Sequence, residues 1–105
     1  MQSKAVTFIN FAVRARKICM GVNAAEALRE KAYLLILCGS ASENTKKQAL
    51  KIAKRKNCVI IESKELLSGI LNKENCKLAA VLDKNLAQAV MDNLGEEFIV
   101  INSEK

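Results

Sequence analysis

The sequence predicts an α/β domain with helices on both faces of a central sheet of four main strands. Three observations predict it. Runs of three to six consecutive apolar residues recur at residues 33–38, 59–61, 78–82 and 98–101, and runs that short and that apolar read as strands buried on both faces. Segments of helical period separate them, most opening on a capping residue. The chain has 105 residues, no proline and four glycines, so one domain is expected, residues 1–105 with a core over about 5–101, without long linkers.

Residues 5–15 read as the first helix, with Phe8, Ile9, Ala12 and Ala15 at helical spacing and Arg14, Arg16 and Lys17 around its end. Ile18-Cys19-Met20 is a short apolar patch compatible with one brief strand, broken by Gly21. Asn23 is a good N-cap for a helix from Ala24 to about Lys31, with Glu26 at the capping-box position. The strand over 33–38 ends at Gly39. Ser40 and Ser42 compete as N-caps for a helix over 43–56, which turns Ala49, Leu50, Ile52 and Ala53 to one side and Lys47, Lys51, Lys54 and Arg55 to the other. After the strand over 59–61, Ser63 is the expected cap of a short helix over 64–71, followed by a polar loop over 73–77. The strand over 78–82 leads to Asp83, the cap of a helix through Leu94 with Gly95 as its stop signal. The last strand, 98–101, precedes a frayed tail.

Charge is unevenly spread. Lys and Arg total 17 against 11 Asp and Glu, a formal charge of +6, and residues 1–57 carry +9 while residues 58–105 carry −3. Such asymmetry suggests one basic surface facing a polyanion.

The residues also exclude much. Histidine is absent, which removes the commonest general base and metal ligand. Cys19, Cys38, Cys58 and Cys76 form no CxxC pair, so they are expected to be reduced thiols, with no metal site and no cofactor. No phosphate-loop signature and no GxGxxG occurs. The Gly39–Ser42 turn offers an anion a helix start, as every strand-to-helix turn does, and Ser40 or Ser42 as a nucleophile has no base. Asp83 and Asp92 show no glycosidase-like pairing. An enzyme is therefore not expected. Phe8, Phe11, Tyr33 and Phe98 all fall in expected core elements, which disfavours an exposed base-stacking platform. No stretch is long and apolar enough for a membrane span, and residues 1–17 hold no signal-peptide core, so a cytoplasmic location is expected.

Several segments carry a resemblance. Phe11-Ala12-Val13-Arg14-Ala15-Arg16-Lys17 with Met20-Gly21, Leu35-Ile36-Leu37 followed by Ala41-Ser42-Glu43-Asn44-Thr45-Lys46-Lys47, and Ala79-Ala80-Val81-Leu82-Asp83-Lys84 with Leu86-Ala87 together resemble small bacterial members of the kink-turn-binding ribosomal-protein family, the large-subunit L-seven-Ae/L-thirty-e type. The likeness runs over roughly residues 5–95 with the element order kept. It implies a three-layer α/β/α sandwich around a four-stranded mixed sheet, and RNA binding without catalysis. In that family a Gly-x-Asn-Glu-x-x-Lys segment opens a helix against the sheared G·A pairs of a kink-turn, and a late loop closes on the bulged nucleotides.

Here Gly21 and Asn23 match that segment, while Ala24 stands at the Glu position and Ala27 at the Lys position. Each alanine removes a polar contact to base edges. Glu26 does not replace Ala24, because two residues along a helix rotate the side chain by about 200°; Lys31 follows Ala27 by one turn. The late loop corresponds to residues 72–77. The RNA-binding site so implied comprises Gly21, Val22, Asn23, Ala24 and Ala27, flanked by Arg14, Arg16 and Lys17, with Asn44, Lys46, Lys47, Lys73 and Lys77. The expected partner is structured RNA, of kink-turn type or ribosomal, bound by a monomer, with the ribosome as a candidate host. Gly21-Val22-Asn23 also reads as an ordinary turn and cap, and Lys46, Lys47, Lys51 and Lys54 as a plain solvated face. The alternative is a protein-interaction module that kept the fold and lost kink-turn specificity.

Overall fold

A computed structural model describes residues 4–64 and 76–101. Along the chain these form α1 (Lys4–Arg14), β1 (Ile18–Met20), α2 (Val22–Ala27), β2 (Leu34–Cys38), α3 (Glu43–Lys56), β3 (Val59–Ser63), β4 (Leu78–Val81), α4 (Lys84–Asp92) and β5 (Phe98–Val100). The strands lie side by side in the order β1-β4-β2-β3-β5. β2 and β3 are parallel, joined through α3, and the other neighbours are antiparallel. The sheet is therefore mixed, as expected, but five-stranded instead of four-stranded. The fifth strand is β1, three residues long, which pairs Ile18 with Val81 and Met20 with Ala79. So short a segment gains its extended form from the ladder with β4, not from its own composition.

Alternation along the central strands builds a core on each face. Leu34, Ile36, Ala79, Val81 and Ile61 face α1 and α4, packing on Val6, Ile9, Ala12, Ala87 and Val90. Leu35, Leu37, Ala80, Leu78 and Ile60 face α2 and α3, packing on Ala25, Ala49, Ile52 and Ala53. Every residue of β2 is buried, which is why its sequence is an unbroken apolar run. Close approach also dictates Gly39: a Cβ there would overlap the carbonyl oxygen of Ser63.

Local signals set most helix limits. Ser42 Oγ accepts from the Thr45 N–H at 3.1 Å and starts α3, and Asn57 closes it in the left-handed region at φ 57. Asp83 Oδ2 accepts from the Leu86 N–H at 2.8 Å and starts α4. That helix ends at Asp92, not Leu94, because the Asn93 side chain turns back to donate to the Ala89 carbonyl. α2 departs further from expectation. Gly21, not Asn23, is its N-cap, and no side chain caps it; the helix stops at Ala27, with Leu28 extended. Residues 28–31 are drawn out of the helix by cations of α3: Arg55 donates to the Glu26 carbonyl at 2.8 Å, and Lys56 Nζ donates to the carbonyls of Leu28 and Glu30. Lys31 thus lies outside α2, 5.6 Å over the Tyr33 ring.

α1 ends in a Schellman turn. The Lys17 N–H reaches the Ala12 carbonyl at 2.9 Å and the Arg16 N–H reaches the Val13 carbonyl at 3.1 Å. Its left-handed position, normally glycine, is Arg16 at φ 59, a conformation that costs a side-chain-bearing residue about 1 kcal/mol. Residues 65–75 lie outside the described residues, and with them most of the helix expected over 64–71. Ser63 is the buried last residue of β3, and Cys76, expected in a polar loop, is buried.

Candidate nucleic-acid interface

The strand pairing sorts the expected site residues between the two ends of the sheet. At one end lie the Gly21 turn, the Cys38–Ser40 turn, Lys77 and Ser63. The Gly21 N–H donates to the Leu78 carbonyl at 2.7 Å and the Cys38 N–H to the Lys77 carbonyl at 2.8 Å, while Cys38 pairs with Ser63 across β2 and β3. α3 also starts here, bringing Asn44, Lys46 and Lys47. This end therefore gathers eight of the expected positions: Gly21, Val22, Asn23, Ala24, Asn44, Lys46, Lys47 and Lys77; Ala27, the last residue of α2, lies between Glu26 and Leu28, whose carbonyls accept from Arg55 and Lys56 at the far end of α3. Lys73 is outside the described residues.

Arg14, Arg16 and Lys17 are at the other end. The Lys17 carbonyl accepts from the Leu82 N–H at 2.7 Å, beyond the last β1–β4 pair. They sit across β1 from the Gly21 turn: three strand residues, four residue steps in all, put Gly21 about 13 Å from Lys17. The sequence places these cations close to the glycine; β1 spaces them apart.

At the Gly21 end the backbone is unusually open. Gly21 has φ 103 and ψ 147, a region almost confined to glycine, and no atom lies within 4 Å of where its Cβ would sit. Behind it Ala25 faces the core, while Asn23, Ala24 and Ala27 are exposed on the outer side of α2. Ala24 and Ala27, three residues apart, share that surface. The short side chains leave a shallow, smooth step beside the bare Gly21 backbone.

The polar groups near this step are partly engaged. Lys77 Nζ donates to Ser40 Oγ at 2.9 Å, and Ser40 Oγ sits 3.2 Å from Cys38 Sγ. Lys46 Nζ, its side chain 39% exposed, is 3.8 Å from the mostly covered Glu62 carboxylate. Lys47 and Asn44 are exposed. On the solvent side of α3, Lys47, Lys51 and Lys54 are exposed as the helical wheel required, whereas Arg55 and Lys56 hold the α2–β2 connection. Among the described residues no group of His, Cys, Asp and Glu side chains could hold a metal ion, and no helix is long and apolar enough to cross a membrane. Burial pushes the Cys58 thiol up from 9.0 to about 11, against the pull of the Lys56 and Lys31 charges.

One aromatic departs from expectation. Phe11 is 44% exposed on α1, touching Phe8 edge-on at 5.9 Å between ring centroids. It sits on the outer side of the helix, opposite Ala5, Ile9 and Ala12. The expected core position of Phe11 rested on its lying in a core helix, but three residues of rotation from Phe8 carry the ring past the core-facing stripe.

Known proteins inform the fold alone. A solved structure of a protein of unknown function from Bacillus halodurans superposes with a TM-score of 0.72 at 21% identity, covering 87% of this chain and 96% of that one. No protein-family model matches the chain, and no curated protein is similar to it.

Proposed function

We propose that this chain is a small non-catalytic RNA-binding protein that docks structured RNA, of kink-turn or ribosomal type, at the Gly21 end of its sheet. The observation that carries this reading is the bare Gly21 backbone with open space over its Cα, beside the exposed Asn23, Ala24 and Ala27 surface. A groove edge of folded RNA can approach a backbone that closely only where no side chain intervenes. Lys47, Lys46 and Lys77 stand at the same end to take phosphates, which positions the protein without reading sequence. The family resemblance supports the same surface.

Ala24 and Ala27 set the expected specificity. Without a carboxylate and an ammonium at these two places, base edges are read by Asn23 alone, so discrimination between a kink-turn and another folded RNA should be weak. The test measures binding of a kink-turn RNA and of a plain hairpin at low salt, for the natural chain and for Ala24→Glu with Ala27→Lys. The reading expects both RNAs to bind the natural chain, and the double variant to gain on the kink-turn selectively. Absence of binding to either RNA at low salt sinks it.

The exposed Ala24 and Ala27 pair also favours a second reading, a protein-interaction module on the same surface. Its mark would be a partner retained after nuclease treatment and lost on Ala24→Glu.

A further inference from the structure

We propose that the outer face of α1 and its C-terminal turn form a second nucleic-acid contact, suited to an unpaired RNA segment: Phe11 stacks a base while Arg14, Arg16 and Lys17 hold the flanking phosphates. This surface shares a ligand class with the proposed function but lies at the opposite end of the sheet, on the face covered by α1 and α4.

Three observations carry it. Lys4, Thr7, Phe11, Arg14 and Ala15 fall along one exposed stripe of α1, so the 44% exposed ring of Phe11 lies between cations. Stacking rings set among cations are how single strands are held without sequence preference. Next, the surface is predominantly positive. The chain has no Asp or Glu before Glu26, and Lys84 follows two residues after Leu82, which bonds to Lys17. The neighbouring acid, Asp83, has its carboxylate turned to the Leu86 N–H. Finally, Arg16 occupies the left-handed position of the Schellman turn at φ 59. Glycine would be more stable there, so a side chain held in this conformation points to a role for its guanidinium.

A lipid surface is the rival occupant for a basic helix with an aromatic. It is disfavoured because α1 exposes one large apolar side chain, whereas interfacial helices bury a broad apolar face.

The experiment uses the full chain and a short fluorescein-labelled oligouridylate, read by anisotropy across a salt series. Phe11→Leu keeps an apolar residue at an exposed position, so folding is preserved, and it should weaken binding roughly five- to a hundred-fold. Arg14→Gln with Lys17→Gln should flatten the log–log salt slope by about 1.4, or 0.7 per lost phosphate contact. Arg16→Gly separates function from structure by sign: Tm should rise by roughly 4–8 °C while affinity falls.

No binding by the natural chain at low salt, or affinities unchanged in Phe11→Leu and Arg16→Gly, would overturn the proposal. So would loss of binding to phosphatidylserine vesicles on Phe11→Leu with oligouridylate binding intact. None of these results touches the kink-turn measurement on Ala24 and Ala27, so the two surfaces stand or fall separately.

Discussion

Gly39 packs so close to the carbonyl of Ser63, where the parallel strands β2 and β3 end together, that a Cβ on it would overlap the Ser63 oxygen. The contact joins the turn that starts α3 to the last buried residue of β3, and it leaves no room for a side chain.

Gly39→Ala is therefore expected to destabilise the fold by about 1–3 kcal/mol, the range for overpacking a tight site. The obstacle is backbone, which cannot swing away as a side chain tip would. A urea titration with an unchanged m-value and a lowered midpoint checks it; an unchanged midpoint would show that the strand ends can separate freely.

Gly21→Ala should also destabilise, by about 1–3 kcal/mol, for a different reason. Space is available there, and the loss comes from φ 103 alone. Asparagine, which tolerates the left-handed helical region, should not rescue it, because ψ 147 lies far from that region. Equal stability of Gly21→Asn and the natural chain would contradict this account.

The Lys56 ammonium tethers the α2–β2 connection through the carbonyls of Leu28 and Glu30. Lys56→Met keeps the stem and removes the donors. A loss of about 1–2 kcal/mol is expected for partly solvated charged hydrogen bonds, with faster amide exchange confined to residues 28–33. Exchange that accelerates everywhere or nowhere would rule out a local tether.

Cys58 gives a pH signature. Its thiol pKa rises from 9.0 to about 11 on folding, so the unfolded chain ionises first as pH climbs. The stabilisation is fully present below pH 9 and is lost between pH 9 and 11. Thermal midpoints should fall over that window more steeply for the natural chain than for Cys58→Ala. The same shift predicts slow alkylation of Cys58 at pH 8, since the thiolate is the nucleophile.

What could be read in advance followed how local each signal was. α3 was legible to the residue, and so was the Asp83 cap, because a cap acts within three residues of its own helix; Ser40 and Ser42 both offered that local signal for α3, and the structure uses Ser42. β1 was reduced to an apolar patch because its strand character depends on β4, about sixty residues away. α2 was overextended because Arg55 and Lys56, remote in sequence, take the carbonyls a longer helix would have used. Phe11 was placed in the core because its helix is a core element, which does not say which face of the helix the ring is on. The candidate site divided in the same way. Gly21, Asn23 and Ala24 are adjacent in sequence and remain together, whereas Ala27 is carried along α2 toward the end of α3, and Arg14, Arg16 and Lys17 are separated from the turn by the strand between.

The position of β4 between β1 and β2 also orders events during synthesis. Among the described residues β1 has β4 as its one neighbour in the sheet, so that pairing of Ile18–Met20 waits until roughly 58 further residues have been made, about 3–12 s at common elongation rates. The Gly21 turn is held by a bond to Leu78 and forms no sooner. α3 and the parallel pair β2–β3 can settle earlier, from a continuous stretch of chain. The emerging protein thus displays its lysine-bearing helix before the Gly21 turn exists, so a polyanion met in that interval meets charge without shape.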